Sequence, residues 1–173
     1  MSVSLPRAPR RSPLADAPLA AMRQFLAEIG IPTQLADLSQ ADTFLPGILI
    51  EGGGLLIDAA RLRYPGDILH EAGHLAVTPA AGRARLAGNI MAGKLEQHGI
   101  DGDEIVAMLW SYAACQAIGI PPEIVFHPDG YRGSSDWILD NFRQDIYPGL
   151  PLLVWMGLTT TTGFPAMTRW LRE

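Results

Sequence analysis

The chain predicts an α+β domain, helix-dominated, with one small β-sheet or hairpin. Apolar residues recur at three- and four-residue spacings in the longer stretches, as helices require. Two short apolar runs flank a triple glycine, as a hairpin requires. No internal repeat is visible. At 173 residues and 18.7 kDa the chain has the length of one domain, enough to bury a proper core. We divide it into a disordered N-terminal leader over residues 1–15 and a single domain over residues 16–173.

Residues 1–18 are rich in Arg and Pro and lack an apolar stretch, which excludes a secretory signal. Asp16 is placed to cap a first helix with Pro18 in its opening turn, running through Leu19, Met22, Phe25, Leu26 and Ile29. Gly30 and Pro32 end it, and a second short helix is expected over 33–40. Gly47-Ile48-Leu49-Ile50 and Leu55-Leu56-Ile57-Asp58 then pair across the glycines 52–54. No Lys-Ser/Thr pair or helix start follows those glycines, so they read as a turn and not as a phosphate cradle.

Pro65 and Gly66 open the next helix and Pro79 closes it. Residues 80–102 carry five glycines and read mostly as loop with one short helix. Asp103 starts a long helix through Glu104, Ile105, Met108, Leu109, Tyr112 and Cys115, ended near Gly119 by Pro121-Pro122. A capped helical stretch follows at 135–140, and a last short helix is expected over 167–171.

Composition narrows the function. A net charge of −5 without a basic stripe argues against nucleic acid as a partner. No run approaches the ~20 apolar residues of a membrane span; the nearest, 105–120, is interrupted by Ser111, Gln116 and Gly119. Cys115 is the sole cysteine and lies in an apolar run, so no intramolecular disulfide forms and a cytoplasmic location is expected.

The chemistry concentrates in His70-Glu71-Ala72-Gly73-His74. Histidines four apart stand one turn above each other on one helix face, so both imidazoles can ligate one metal ion, with Glu71 leaning toward its open position. With four His and seven Glu, chance would place such a pattern in only about 0.3% of shuffled chains. The flanking Ile68, Leu69, Leu75, Ala76 and Val77 are apolar. Three ionisable groups inside an apolar run are costly to bury without a metal or dense hydrogen bonding.

A catalytic zinc site needs a third protein ligand and leaves a fourth position to water. The candidates are Glu104, Asp101, Asp103, His98 and His127. Glu104 leads, because a carboxylate opening the next apolar helix can reach the motif if the two helices pack antiparallel. Acidic residues also favour any helix's first turn for dipole reasons, which alone would explain Glu104 and Asp103. Tyr131, His127 and Arg132, in the turn-rich stretch 126–132, are candidates to stabilise an oxyanion, although a polar surface turn would look the same.

The order of helix, hairpin, His-Glu-x-x-His helix and Glu-initiated helix over residues 47–122 resembles the ImmA/IrrE-type zincin metallopeptidase domain. The second helix matches through Glu104-Ile105-Val106-Ala107, Tyr112-Ala113-Ala114 and Pro121, with Val106 and Ala107 where that family usually has Asn or Asp. The resemblance implies Zn²⁺ held by His70, His74 and Glu104, with Glu71 as general base for water attacking a peptide or amide carbonyl. The substrate would be a peptide or protein segment, added as a strand to the hairpin edge. Two other functions stay open: a catalytically silent metal-binding regulatory domain, and a hydrolase acting on a small amide. The oligomeric state carries no signal.

Overall fold

The structure is a computed structural model, and it describes residues 13–88 and 102–173. Most of the leader, and with it the candidates His98 and Asp101, lies outside the described residues. The described residues form six α-helices and one three-stranded sheet, a helix-dominated α+β fold.

Helix α1 spans Pro13–Glu28, beginning ahead of the expected cap at Asp16. It buries Leu19, Met22, Phe25 and Leu26 on one face. Gly30, at φ +88°, ends it. The Gly30 N–H donates to the Ala27 carbonyl at 3.2 Å and the Ile31 N–H to Leu26 at 2.8 Å, the pair of bonds that a Schellman cap makes.

Residues 33–40, expected as a helix, instead contribute strand β1 (Thr33–Leu35). It pairs in parallel with β3 (Gly54–Ile57), Thr33 opposite Leu55 and Leu35 opposite Ile57. The reason is tertiary: the hairpin leaves one edge of β3 unpaired, and three extended residues after Pro32 satisfy it. Their side chains are half-buried or exposed, so no alternating pattern marks them.

The hairpin forms as expected. Strand β2 (Ile48–Glu51) runs antiparallel to β3 with Ile48 opposite Ile57 and Glu51 opposite Gly54. Gly52 and Gly53 both have positive φ, +57° and +79°, as the twist-compatible type I′ turn demands. The sheet order is β1-β3-β2, with β2 on the outer edge.

Helix α2 (Asp67–Val77) carries the motif and is buried at every position, between the sheet and helix α4 (Gly102–Ile118). Its last four carbonyls are all satisfied: His74 by the Thr78 hydroxyl (2.8 Å), Leu75 by Arg83 Nε (2.9 Å), Ala76 by the Arg172 amide (2.9 Å) and Val77 by the Arg172 guanidinium (3.3 Å). Two arginines thus sit at the negative end of the helix dipole, and the C-terminal segment straps the motif helix into the core.

A short helix α3 (Ala80–Arg83) supplies Arg83, and α5 (Ser135–Arg143) covers the expected helical stretch. The tail departs from expectation. Its helix is α6 (Leu150–Trp155), which packs on α4, and residues 167–171 are irregular. Gly149, at φ +89°, starts α6 against Ile105, and buried Leu153 seats it. Met167, Trp170 and Leu171 pack against the core without a helix, and the Trp170 carbonyl accepts the indole N–H of buried Trp110 at 2.9 Å. Among the described residues, no helix is long and apolar enough to cross a membrane.

Candidate metal centre

The site begins with how closely α2 and α4 approach. They run antiparallel: the Leu69 carbonyl meets Ser111, Gly73 meets Ala107, and His74 meets Glu104. Gly73 permits this, because a Cβ there would stand 2.8 Å from the Ala107 carbonyl oxygen. Ser111 ties the helices by donating toward the carbonyls of Ala107 (2.7 Å) and Leu69 (3.1 Å). This packing carries the first turn of α4, and Glu104 with it, over the two histidines.

His70, His74 and Glu104 form a group positioned to bind a metal ion, one ligating atom from each lying within 4.8 Å of the others. The Nε2 atoms of His70 and His74 are 3.2 Å apart. Glu104 Oε1 lies 3.4 Å from His70 Nε2, and Glu104 Oε2 lies 3.2 Å from His74 Nε2. Ligands bound at 2.0–2.1 Å on a tetrahedral ion stand about 3.3–3.4 Å from one another, so the triangle has the size that such an ion requires. Two imidazoles and one carboxylate are also a donor set suited to zinc.

Electrostatics agree with that use. Burial, reinforced by His74 and opposed by Glu104, holds His70 down to about 4, so its imidazole is neutral and free to donate a lone pair. Burial pushes the Glu71 carboxyl up to about 7, with Glu104 and Asp67 adding to the rise and His74 opposing it. A carboxyl poised there both takes and returns a proton near neutral pH.

Tyr131 and His127 stand in places the sequence did not indicate. The Tyr131 hydroxyl is 3.1 Å from His70 Nδ1, the nitrogen turned away from the ligand triangle. Burial raises its phenol well above the ordinary value, so it stays protonated. With Nε2 serving as ligand, Nδ1–H donates to the phenolic oxygen and fixes the ring's tautomer and orientation. Tyr131 and Arg132 adopt left-handed φ of +51° and +54°, rare for side chains of this size, in the turn that aims the phenol at His70.

His127 is bonded through Nε2 to Asp67 Oδ1 at 3.2 Å and lies under Tyr64, the rings stacked 3.6 Å apart. The structure therefore assigns His127 to Asp67 and not to the ligand group. Asp103 is exposed one residue from Glu104, and Arg132 is exposed in the strained turn. A polar residue three before His70 was the only trace of Asp67 in the sequence, and nothing there linked Tyr131 to the histidine.

The hairpin edge expected to receive a peptide is engaged at one point, where the Gly88 N–H donates to the Ile50 carbonyl at 2.8 Å. The group opens on a cavity of about 810 Å³ lined in part by His70, Glu71 and Glu104. The chain matches no protein-family model, no curated protein and no solved structure.

Proposed function

We propose that this chain is a zinc-dependent metallopeptidase or peptidase-like hydrolase, akin to the ImmA/IrrE-type zincins. The observation that carries the reading is the triangle of His70, His74 and Glu104 at tetrahedral spacing, with Glu71 buried beside it. A zinc ion held there would supply a Lewis acid that makes water nucleophilic near neutral pH. Glu71 accepts the proton that this water loses at its carboxylate and delivers it to the leaving amine. Tyr131 holds the His70 ring in place, and Gly73 keeps Glu104 within reach of both imidazoles.

Three protein ligands beside a carboxyl base favour turnover, because a purely structural site needs no base and is usually closed by a fourth ligand. The test is metal analysis of the purified wild type beside His74→Ala, Glu104→Ala and Glu71→Gln. One zinc per chain is expected, lost in the first two variants and kept in the third. Full retention in Glu104→Ala removes Glu104 from the site. Wild-type hydrolysis of a peptide mixture, compared with Glu71→Gln, then separates the enzyme from a silent metal-binding domain: Glu71→Gln loses about 10²–10⁴-fold in rate if Glu71 is the base.

A further inference from the structure

One end of the 810 Å³ cavity is formed by His70, Glu71 and Glu104, and the remainder is walled largely by apolar side chains. Helix α4 contributes Met108 and Leu109. Helix α5 contributes Ile138, Phe142 and Trp137, the last 60% exposed. Phe44, 50% exposed and just ahead of β2, also lines the cavity. Trp137 and Phe44 leave apolar aromatic surface on the cavity for an occupant to cover. The rim charges Arg63 and Asp129 neutralise each other at 3.0 Å, whereas Arg132 has no ion pair among the described residues.

We propose that this cavity binds a large apolar side chain, preferably aromatic, of a peptide segment presented to the metal group. Pockets of about 300–1,000 Å³ with apolar walls and a few convergent polar groups are the usual form of ligand sites, and 810 Å³ takes the flanking peptide together with the side chain. Continuity with His70 and Glu71 identifies the occupant as substrate. That word rests on the hydrolase reading above, while the side-chain preference rests on the cavity walls alone.

The test is therefore made on the metal-free full chain, in chelator, by nuclear magnetic resonance titration of labelled protein. The probes are three capped peptides, acetyl-Gly-X-Gly-amide, with X as Phe, Ala or Asp. The Phe peptide is expected to bind at least about tenfold more tightly than the Ala and Asp peptides, shifting the Trp137 indole signal. Trp137→Ala and Met108→Lys are expected to bring the Phe-to-Ala ratio toward one. Trp137 is exposed, so its truncation keeps the test valid even if Met108→Lys fails to fold.

Equal affinities for the three peptides overturn the proposal, as does a failure of all three to bind at millimolar concentration. An Asp peptide that binds most tightly overturns it in favour of an acidic occupant held by Arg132. A Phe preference unchanged in Trp137→Ala overturns the assignment to this cavity. None of these outcomes depends on zinc content, so failure here is distinguishable from failure of the hydrolase reading.

Discussion

Tyr131 reaches His70 only because its backbone, and that of Arg132 after it, accepts a left-handed conformation. Strain of that kind costs of order 1–3 kcal/mol per residue and persists where the surroundings over-determine it. The phenol orients a proposed ligand, so Tyr131→Phe is expected to weaken zinc binding by about 10–100-fold, measured by chelator competition. Unchanged zinc affinity in a folded Tyr131→Phe would remove Tyr131 from the metal group's support. Cys115 is a contrasting case. It is fully buried on α4, and burial pushes its thiol up to about 12. The native protein is expected to stay inert to thiol reagents at pH 8 and to react with one equivalent after unfolding; rapid native labelling would contradict that burial.

Helices α2 and α4 are held at a separation set by a missing methyl group. At Gly73 an added Cβ meets backbone, the Ala107 carbonyl at 2.8 Å and its Cα at 3.2 Å, and backbone does not swing away as a side-chain tip would. Gly73→Ala is expected to push the helices apart at a cost of about 1–3 kcal/mol and to draw Glu104 away from the imidazoles. Thermal melting and zinc titration of that variant should both move; wild-type values in both would show that the close approach is dispensable. The hairpin and the two helices were readable in advance, while β1 was not. The hairpin and helices carry their own periodicity and stop residues, whereas Thr33–Leu35 is a strand because β3 leaves an edge to fill.

Across the whole molecule, metal binding by His70, His74 and Glu104 would be linked to folding, because residues from two separate helices meet only in the folded state. If zinc is the ion bound, a thousandfold excess over its dissociation constant would stabilise the fold by about 4 kcal/mol. For a domain of this length that corresponds to a rise in melting temperature of roughly 8–16 °C, abolished in His74→Ala. No rise would contradict a folded-state metal site. In the metal-free protein, two buried groups give stability opposite pH slopes. His70 falls from an ordinary 6.5 to about 4 on folding, so the unfolded state binds more protons in that window and stability rises with pH. Glu71 rises from 4.5 to about 7, so the folded state keeps its proton and stability is lost as pH climbs through that window. Between pH 4.5 and 6.5 the two offset each other in the wild type. Glu71→Gln removes the Glu71 slope, so melting temperature should climb more steeply with pH than in the wild type; a profile parallel to the wild type would refute the shift assigned to Glu71.

His70, Glu71 and His74 were legible as a cluster because four-residue spacing on a helix is a local property, independent of everything else in the chain. Glu104 could be nominated from its place at the head of an apolar helix, but so could Asp103, and a dipole preference accounts for either. The choice between them came from packing: Gly73 against Ala107 and Ser111 against Leu69 set the register that turns Glu104 inward and leaves Asp103 exposed. Tyr131 on His70 and His127 on Asp67 span 61 and 60 residues of sequence. Contacts at that separation leave no periodic trace, and loop conformation alone brings them together. Local spacing therefore specified two candidate ligands and a candidate base, and long-range packing supplied the third member of the group, the support for His70 and the apolar cavity beside them.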